Sequence, residues 1–130
     1  MSLQQIKSII EGSIQVKQAL LNDQVLVTEI EKVVDAITNA FENGNAVYFA
    51  GNGGSAADSQ HFAAEFVNSF SKSINRRGLP AIALTTDSSI LTAISNDSSF
   101  EKIFSRQVES YGVRNDLLIV FTTSGNSKNC

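Results

Sequence analysis

The chain has 130 residues, 42% hydrophobic and 18% charged, which suits one soluble globular domain with a real core and not a disordered chain. A net charge of -3 and a pI near 5.0 disfavour non-specific nucleic-acid binding, which needs a basic stripe. The single cysteine, Cys130, leaves no internal disulfide framework, and no apolar run approaches the ~20 residues of a membrane span. The first seven residues lack the apolar core of a signal peptide, so the expected location is the cytoplasm.

Ile6, Ile9, Ile10, Ile14 and Val16 predict an amphipathic helix over Leu3–Leu21. Asp23 is placed to cap a second helix, marked by Val25, Leu26, Ile30, Val33, Val34, Ile37 and Phe41. That helix should stop near Gly44, which can adopt the left-handed cap conformation. Two helices before the first strand exceed what a minimal α/β unit needs. The Ile6, Ile9 and Ile10 face therefore suits either the chain's own domain or a partner subunit.

Ala46–Ala50 reads as a buried strand, Gly51–Ser55 as a glycine-rich turn and Ala56–Phe70 as a helix. A polar loop, Ser71–Gly78, leads to a second strand over Leu79–Leu84, with Pro80 at its start. Thr85–Ser88 can cap a short helix, Ser89–Ser95. Phe100, Ile103, Phe104, Val108 and Tyr111 mark another, broken at Gly112. Asp116–Phe121 is the third strand, and its continuous apolar run predicts burial on both faces. The order ααβαβααβ points to a doubly wound parallel α/β sheet preceded by two helices.

A strand feeding a glycine turn and a helix start forms a natural anion site, because free N–H groups and the helix dipole both favour a phosphate. The glycines could equally serve only positive φ and close backbone approach. Further along the same helix, His61 and Glu65 stand four apart and share a face. A nitrogen donor and a carboxylate there could hold a metal or move a proton, although such pairs are usually solvated surface pairs. The spacing does not match the two-histidine zinc-protease motif. A second strand-to-turn segment, Thr122–Ser127, is rich in hydroxyls. Three strands are few for an open parallel sheet, so the expectation is a single domain over residues 1–130 that continues beyond Cys130.

Four motifs occur in order: Gly51-Asn52-Gly53-Gly54-Ser55, His61-Phe62-Ala63-Ala64-Glu65, Ser95-Asn96-Asp97 and Thr122-Thr123-Ser124-Gly125-Asn126-Ser127. Together they resemble the sugar isomerase (SIS) domain, and within it the bacterial phosphoheptose isomerases, over nearly the whole chain. The resemblance implies a flavodoxin-like fold, a homotetramer with active sites between subunits, and a sugar-phosphate substrate. Its reaction interconverts sedoheptulose 7-phosphate and heptose 7-phosphate, which feeds heptose synthesis for bacterial surface polysaccharide.

Carried over by motif, Asn52, Gly53, Gly54 and Ser55 would bind the sugar phosphate. His61 and Glu65 would be zinc ligands, with Glu65 also the catalytic base. Asn96 and Asp97 would hold substrate hydroxyls, and Thr122, Thr123, Ser124 and Ser127 would cradle the phosphate. The family's second acid, a histidine, and a glutamine metal ligand lie past the last residue of this sequence. Ser69 stands where relatives often carry arginine, and Thr122 where many carry serine. The competing readings are a non-catalytic SIS-domain protein of the kind that associates with a replication initiator, and a sugar-phosphate sensor. The His61/Glu65 pair argues against the first, which has no chemical need for it, and the second lacks a visible DNA-binding segment.

Overall fold

The computed structural model describes residues 2–130. They form α1 (Leu3–Asn22), α2 (Gln24–Glu42), β1 (Val47–Gly51), α3 (Gly54–Val67), β2 (Ala81–Ala83), α4 (Ser88–Asp97), α5 (Ser105–Tyr111) and β3 (Leu117–Phe121). The chain divides into two compact units, one ending at Ala36 and the other beginning at Ile37.

The first unit holds α1 and most of α2. Ser2 starts α1 through a reciprocal capping box: its Oγ accepts from Gln5 N at 3.2 Å, and its own N–H donates to Gln5 Oε1 at 2.7 Å. Asp23 Oδ1 accepts from Val25 and Leu26 N–H, both at 3.0 Å, so it caps α2 as the sequence predicts. No residue of α1 is buried, and Ile6, Ile9 and Ile10 are all exposed.

The second unit is a parallel sheet in the order β2-β1-β3. That order, with helices on both faces, is the order of the first three strands of a flavodoxin-like doubly wound sheet. The last turns of α2 carry Ala40 and Phe41 into the core, and Gly44, at φ +76°, turns the chain into β1. Alternation along β1 then divides the core in two. Val47 and Phe49 meet Phe41, Ala63 and Phe66 on one side. Tyr48 and Ala50 meet Leu84, Ile103 and Phe104 on the other. The amino ends of β1 and β3 are tied by Asp116, whose Oδ1 accepts from Ala46 N–H at 2.9 Å and whose Oδ2 accepts from Val113 N–H at 2.9 Å.

Four expectations change. The β3 run is not buried on both faces: Leu118 is 42% exposed, because β3 stands at the sheet's edge, where the helix layer covers it only in part. The single helix expected from Phe100 to Tyr111 is a 3-10 turn, Phe100–Lys102, followed by α5. α3 ends at Val67, three residues before Phe70, and β2 is shorter than its apolar run. Its pairing still continues outward, with Val47 N–H donating to Pro80 O and Leu84 N–H to Phe49 O.

Candidate active site

The turn after β1 is held by contacts that only glycine permits. A Cβ on Gly51 would lie 2.7 Å from Ser55 O and 2.8 Å from Ser55 Cβ. Gly53 has φ +55° and ψ -119°, a conformation that side chains disfavour. The chain re-enters a helix at once, with Ser55 N–H donating to Asn52 O at 2.9 Å and Ala56 N–H to Gly53 O at 3.1 Å. The N–H groups of Gly53 and Gly54 have no backbone acceptor among the described residues. They stand at the positive end of α3, where an anion is favoured.

The hydroxyl-rich loop lies alongside, because β3 pairs in parallel with β1 as far as Gly51↔Phe121. Thr122 Oγ1 accepts from Gly125 N–H at 3.1 Å, and Ser124 Oγ accepts from Asn126 N–H at 3.2 Å. Both hydroxyls then have their own O–H left to donate to an anion. Gly125 supports the bend at φ +66°. The glycine turn is joined to the chain just past the hydroxyl loop: Asn52 Nδ2 donates to Asn129 Oδ1, and Asn129 Nδ2 donates to Asn52 Oδ1, both at 2.8 Å. Sequence reasoning missed Asn129. Its only signal was an amide near a polar turn, and the pairing partner lies 77 positions away.

His61 and Glu65 do share one face of α3, with Nε2 and Oε1 3.7 Å apart. The His61 side chain is 73% exposed and that of Glu65 33%. They border an apolar groove of about 390 Å³ with Phe62, Phe66, Phe70, Arg76 and Leu79. Arg76 fixes its floor, donating to Phe66 O at 2.7 Å and Glu65 O at 2.8 Å, so a cation closes the carbonyl end of α3. This groove shares no lining residue with the glycine turn. His61 lies seven residues past Gly54, and that spacing is about 10 Å along a helix axis.

Among the described residues no hydrogen bond or shared groove joins Asn96 or Asp97 to either turn. They end α4, which leaves the carboxyl end of β2, and Asn96 Nδ2 donates to Asp97 Oδ1 at 2.7 Å. Asp97 borders a separate groove with Lys102, Ser105 and Arg106. The exposed Cys130 has its Sγ 3.5 Å from Asn52 Nδ2, and desolvation pushes its thiol up from the ordinary value.

The His61/Glu65 pair fits half of a zinc site. Donors bound at roughly 2.0–2.1 Å in a tetrahedron stand about 3.3 Å apart, close to the observed separation. No group of three or more His, Cys, Asp or Glu side chains that could hold a metal occurs among the described residues. No helix among them is long and apolar enough to cross a membrane.

Residues 13–130 match the family described as the SIS domain. The chain belongs to the SIS-domain family. This SIS domain is 52% identical over 124 residues to the phosphoheptose isomerase of Aneurinibacillus thermoaerophilus, covering 95% of the chain and 62% of that relative. With the phosphoheptose isomerase of Aquifex aeolicus it shares 51% identity over 127 residues, 98% of the chain and 64% of the relative. Among solved structures, a phosphoheptose isomerase from Francisella tularensis superposes with a TM-score of 0.91 at 41% identity, covering 99% of this chain and 65% of that one. The phosphoheptose isomerase of Neisseria gonorrhoeae gives 0.87 at 40% identity, covering 98% and 65%. The chain therefore spans a little over three-fifths of the length of the curated relatives it matches.

Proposed function

We propose that this chain is the phosphosugar-binding and proton-transferring part of a phosphoheptose isomerase, a single SIS domain that works in the cytoplasm. The observation that carries the reading is the layout of α3. An anion turn opens it, a parallel hydroxyl loop lies beside that turn, and an imidazole–carboxylate pair follows about 10 Å along its axis. The similarity to proteins named phosphoheptose isomerase supports the substrate: sedoheptulose 7-phosphate, converted to D-glycero-D-manno-heptose 7-phosphate.

In this reading the Gly53 and Gly54 N–H groups, with the hydroxyls of Ser55, Thr122, Thr123, Ser124 and Ser127, bind the phosphate dianion. That end of the sugar takes no part in the chemistry, so its binding energy serves to position the reacting carbons. The Glu65 carboxylate removes the proton from the carbon beside the carbonyl, giving an enediol, and returns it to the neighbouring carbon. His61 and Glu65 would hold zinc, with the remaining donors supplied from outside the described residues. When bound, the ion would supply an electrophile for the sugar's carbonyl oxygen. Asn96 and Asp97 would hold substrate hydroxyls in a site completed by another copy. The exposed Ile6, Ile9 and Ile10 face of α1 supports such a homotetramer.

The test is isomerisation of sedoheptulose 7-phosphate by the natural protein and its Glu65→Gln variant, with and without a chelator. Glu65→Gln should lower kcat by about two to four powers of ten, the range for a positioned general base, with little change in sugar-phosphate affinity. Near-normal turnover by the variant removes Glu65 from the mechanism. A parent that binds the sugar phosphate and never turns it over favours a non-catalytic SIS-domain binder.

A further inference from the structure

We propose that Asn129 is a positioning residue, whose side-chain amide clasps the glycine turn to the hydroxyl loop so that one phosphate ester meets both. The inference rests on the phosphosugar reading above and adds to it a residue outside the four motifs. Two hydrogen bonds of 2.8 Å run in opposite directions between the Asn52 and Asn129 amides. Such a pair is self-complementary, since each amide offers one donor and one acceptor to the other. Two parallel bonds fix both the separation and the relative plane of the groups, which a single bond leaves free.

Asn129 is only 9% exposed, so its amide has little water to fall back on if Asn52 is removed. Asn52 is equally committed. Its Oδ1 and Nδ2 both engage Asn129, and Nδ2 also faces Cys130 Sγ at 3.5 Å. The Asn52 side chain is thus spent on the clasp. What the turn presents to an anion is backbone N–H, from Gly53 and Gly54. The hydroxyls of Thr122 and Ser124 arrive from the other strand. Anion donors on two separate loops act together only when their spacing is set before the ligand arrives, because otherwise binding must order both. The adjacent strands fix where the two loops begin, and the amide pair ties the glycine turn to the chain just past Ser127, where the hydroxyl loop ends.

The experiment compares the parent chain with Asn129→Ala, Asn52→Ala and the double variant. It reads affinity for inorganic phosphate and for sedoheptulose 7-phosphate, and amide hydrogen exchange at Ser55 and Gly125. Ser55 N–H bonds to Asn52 O and Gly125 N–H to Thr122 Oγ1, so each reports its own turn. Asn129→Ala should weaken both anions about tenfold, a value near the net worth of a lost buried hydrogen bond. Exchange should quicken at both turns while protection in β1 is kept. The double variant should be no worse than either single one.

Anion affinity within twofold of the parent in Asn129→Ala overturns the proposal. So do losses that multiply in the double variant, or exchange that quickens at one turn only. If Asn129→Ala does not fold, Asn129→Asp, which keeps the shape and one bond, carries the same exchange comparison. A parent that binds neither anion defeats the phosphosugar reading, and the exchange at Ser55 and Gly125 then decides the clasp by itself.

Discussion

At its amino end α3 is tied into the sheet; from its eighth residue on, its functional face is nearly bare. Gly51 packs directly under Ser55, Ser59 Oγ donates to Ser55 O at 2.8 Å, and Asn52 is locked to Asn129. His61, by contrast, has among the described residues only Glu65 for a polar partner, at 3.7 Å, and Phe70 just past the helix is 84% exposed. Underneath, both halves of the helix pack on one ring: Phe62 lies tilted against Phe49 and Phe66 stacks on it, with ring centroids 5.9 and 6.0 Å apart. The difference therefore lies on the outer face. In the proposed reading the anion cradle is built from the chain's own strands, and the proton-transferring pair stands on a surface that a second copy would close. Such a division suits a site whose binding half is preorganised locally and whose chemical half is assembled between copies.

The strongest way to break the comparison is at the tied end. Gly51→Ala puts a methyl within 2.7–2.9 Å of Ser55 backbone and Cβ atoms, which cannot move without shifting the helix start. We expect a loss of about 3 kcal/mol, the upper part of the range for overpacking, together with loss of phosphate binding. Urea unfolding measures the first and a phosphate titration the second. A variant as stable as the parent would mean that the turn is softer than its contacts indicate.

At the bare end the largest structural effect should come from Arg76. Its guanidinium donates to the carbonyls of Glu65 and Phe66, and no other side chain among the described residues does so. Arg76→Ala should cost about 1–2 kcal/mol, within the range for charged donors to partly buried carbonyls. Arg76→Lys should recover part of that, because an ammonium cannot reach both carbonyls in one plane. Stability of Arg76→Ala equal to the parent's would place the Ser71–Gly78 loop outside the fold's support.

Much of this was legible beforehand, for physical reasons. Val47–Ala50 is apolar at every position because both faces of β1 are covered, and that pattern announces a central parallel strand. Gly44 and Asp23 mark helix ends by chemistry that is local to the chain. The Asn52–Asn129 clasp was not legible, since a polar pair across 77 positions leaves no periodicity. The same holds for Arg76, whose acceptors are backbone carbonyls and have no residue type. Leu118 was misjudged because an apolar run reports composition, whereas burial depends on what lies over the strand.

A third, smaller effect lies at the amino ends of β1 and β3 and appears only in acid. The Val113 N–H, and after it the Ala46 N–H and the Asn45 amide, hold the Asp116 carboxyl below its ordinary value, against some desolvation. A folded-state pKa below the unfolded one adds stability that is present above the unfolded pKa of about 3.9. That contribution is lost as pH falls through the folded value. Asp116→Asn should therefore flatten the acid limb of the stability profile, and leave phosphate binding at the carboxyl ends of the same strands unchanged. An acid limb identical to the parent's would remove Asp116 as the tie between β1 and β3.

The smallest change expected in stability belongs to the residues proposed to matter most in chemistry. His61→Ala and Glu65→Gln remove groups that are 73% and 33% exposed and joined only by a contact of 3.7 Å. An exposed ion pair contributes about 0–1 kcal/mol, so each substitution should leave the unfolding free energy within about 0.5 kcal/mol of the parent. Zinc affinity should fall in both variants while inorganic-phosphate affinity holds, because the cradle stands about 10 Å away along the helix. Equilibrium dialysis of zinc beside a phosphate titration separates the two. Unfolding losses above about 1 kcal/mol in either variant would exceed what a surface pair contributes, and would make the pair part of the scaffold. Zinc affinity unchanged in both would detach the metal from this helix and leave Glu65 with proton transfer alone.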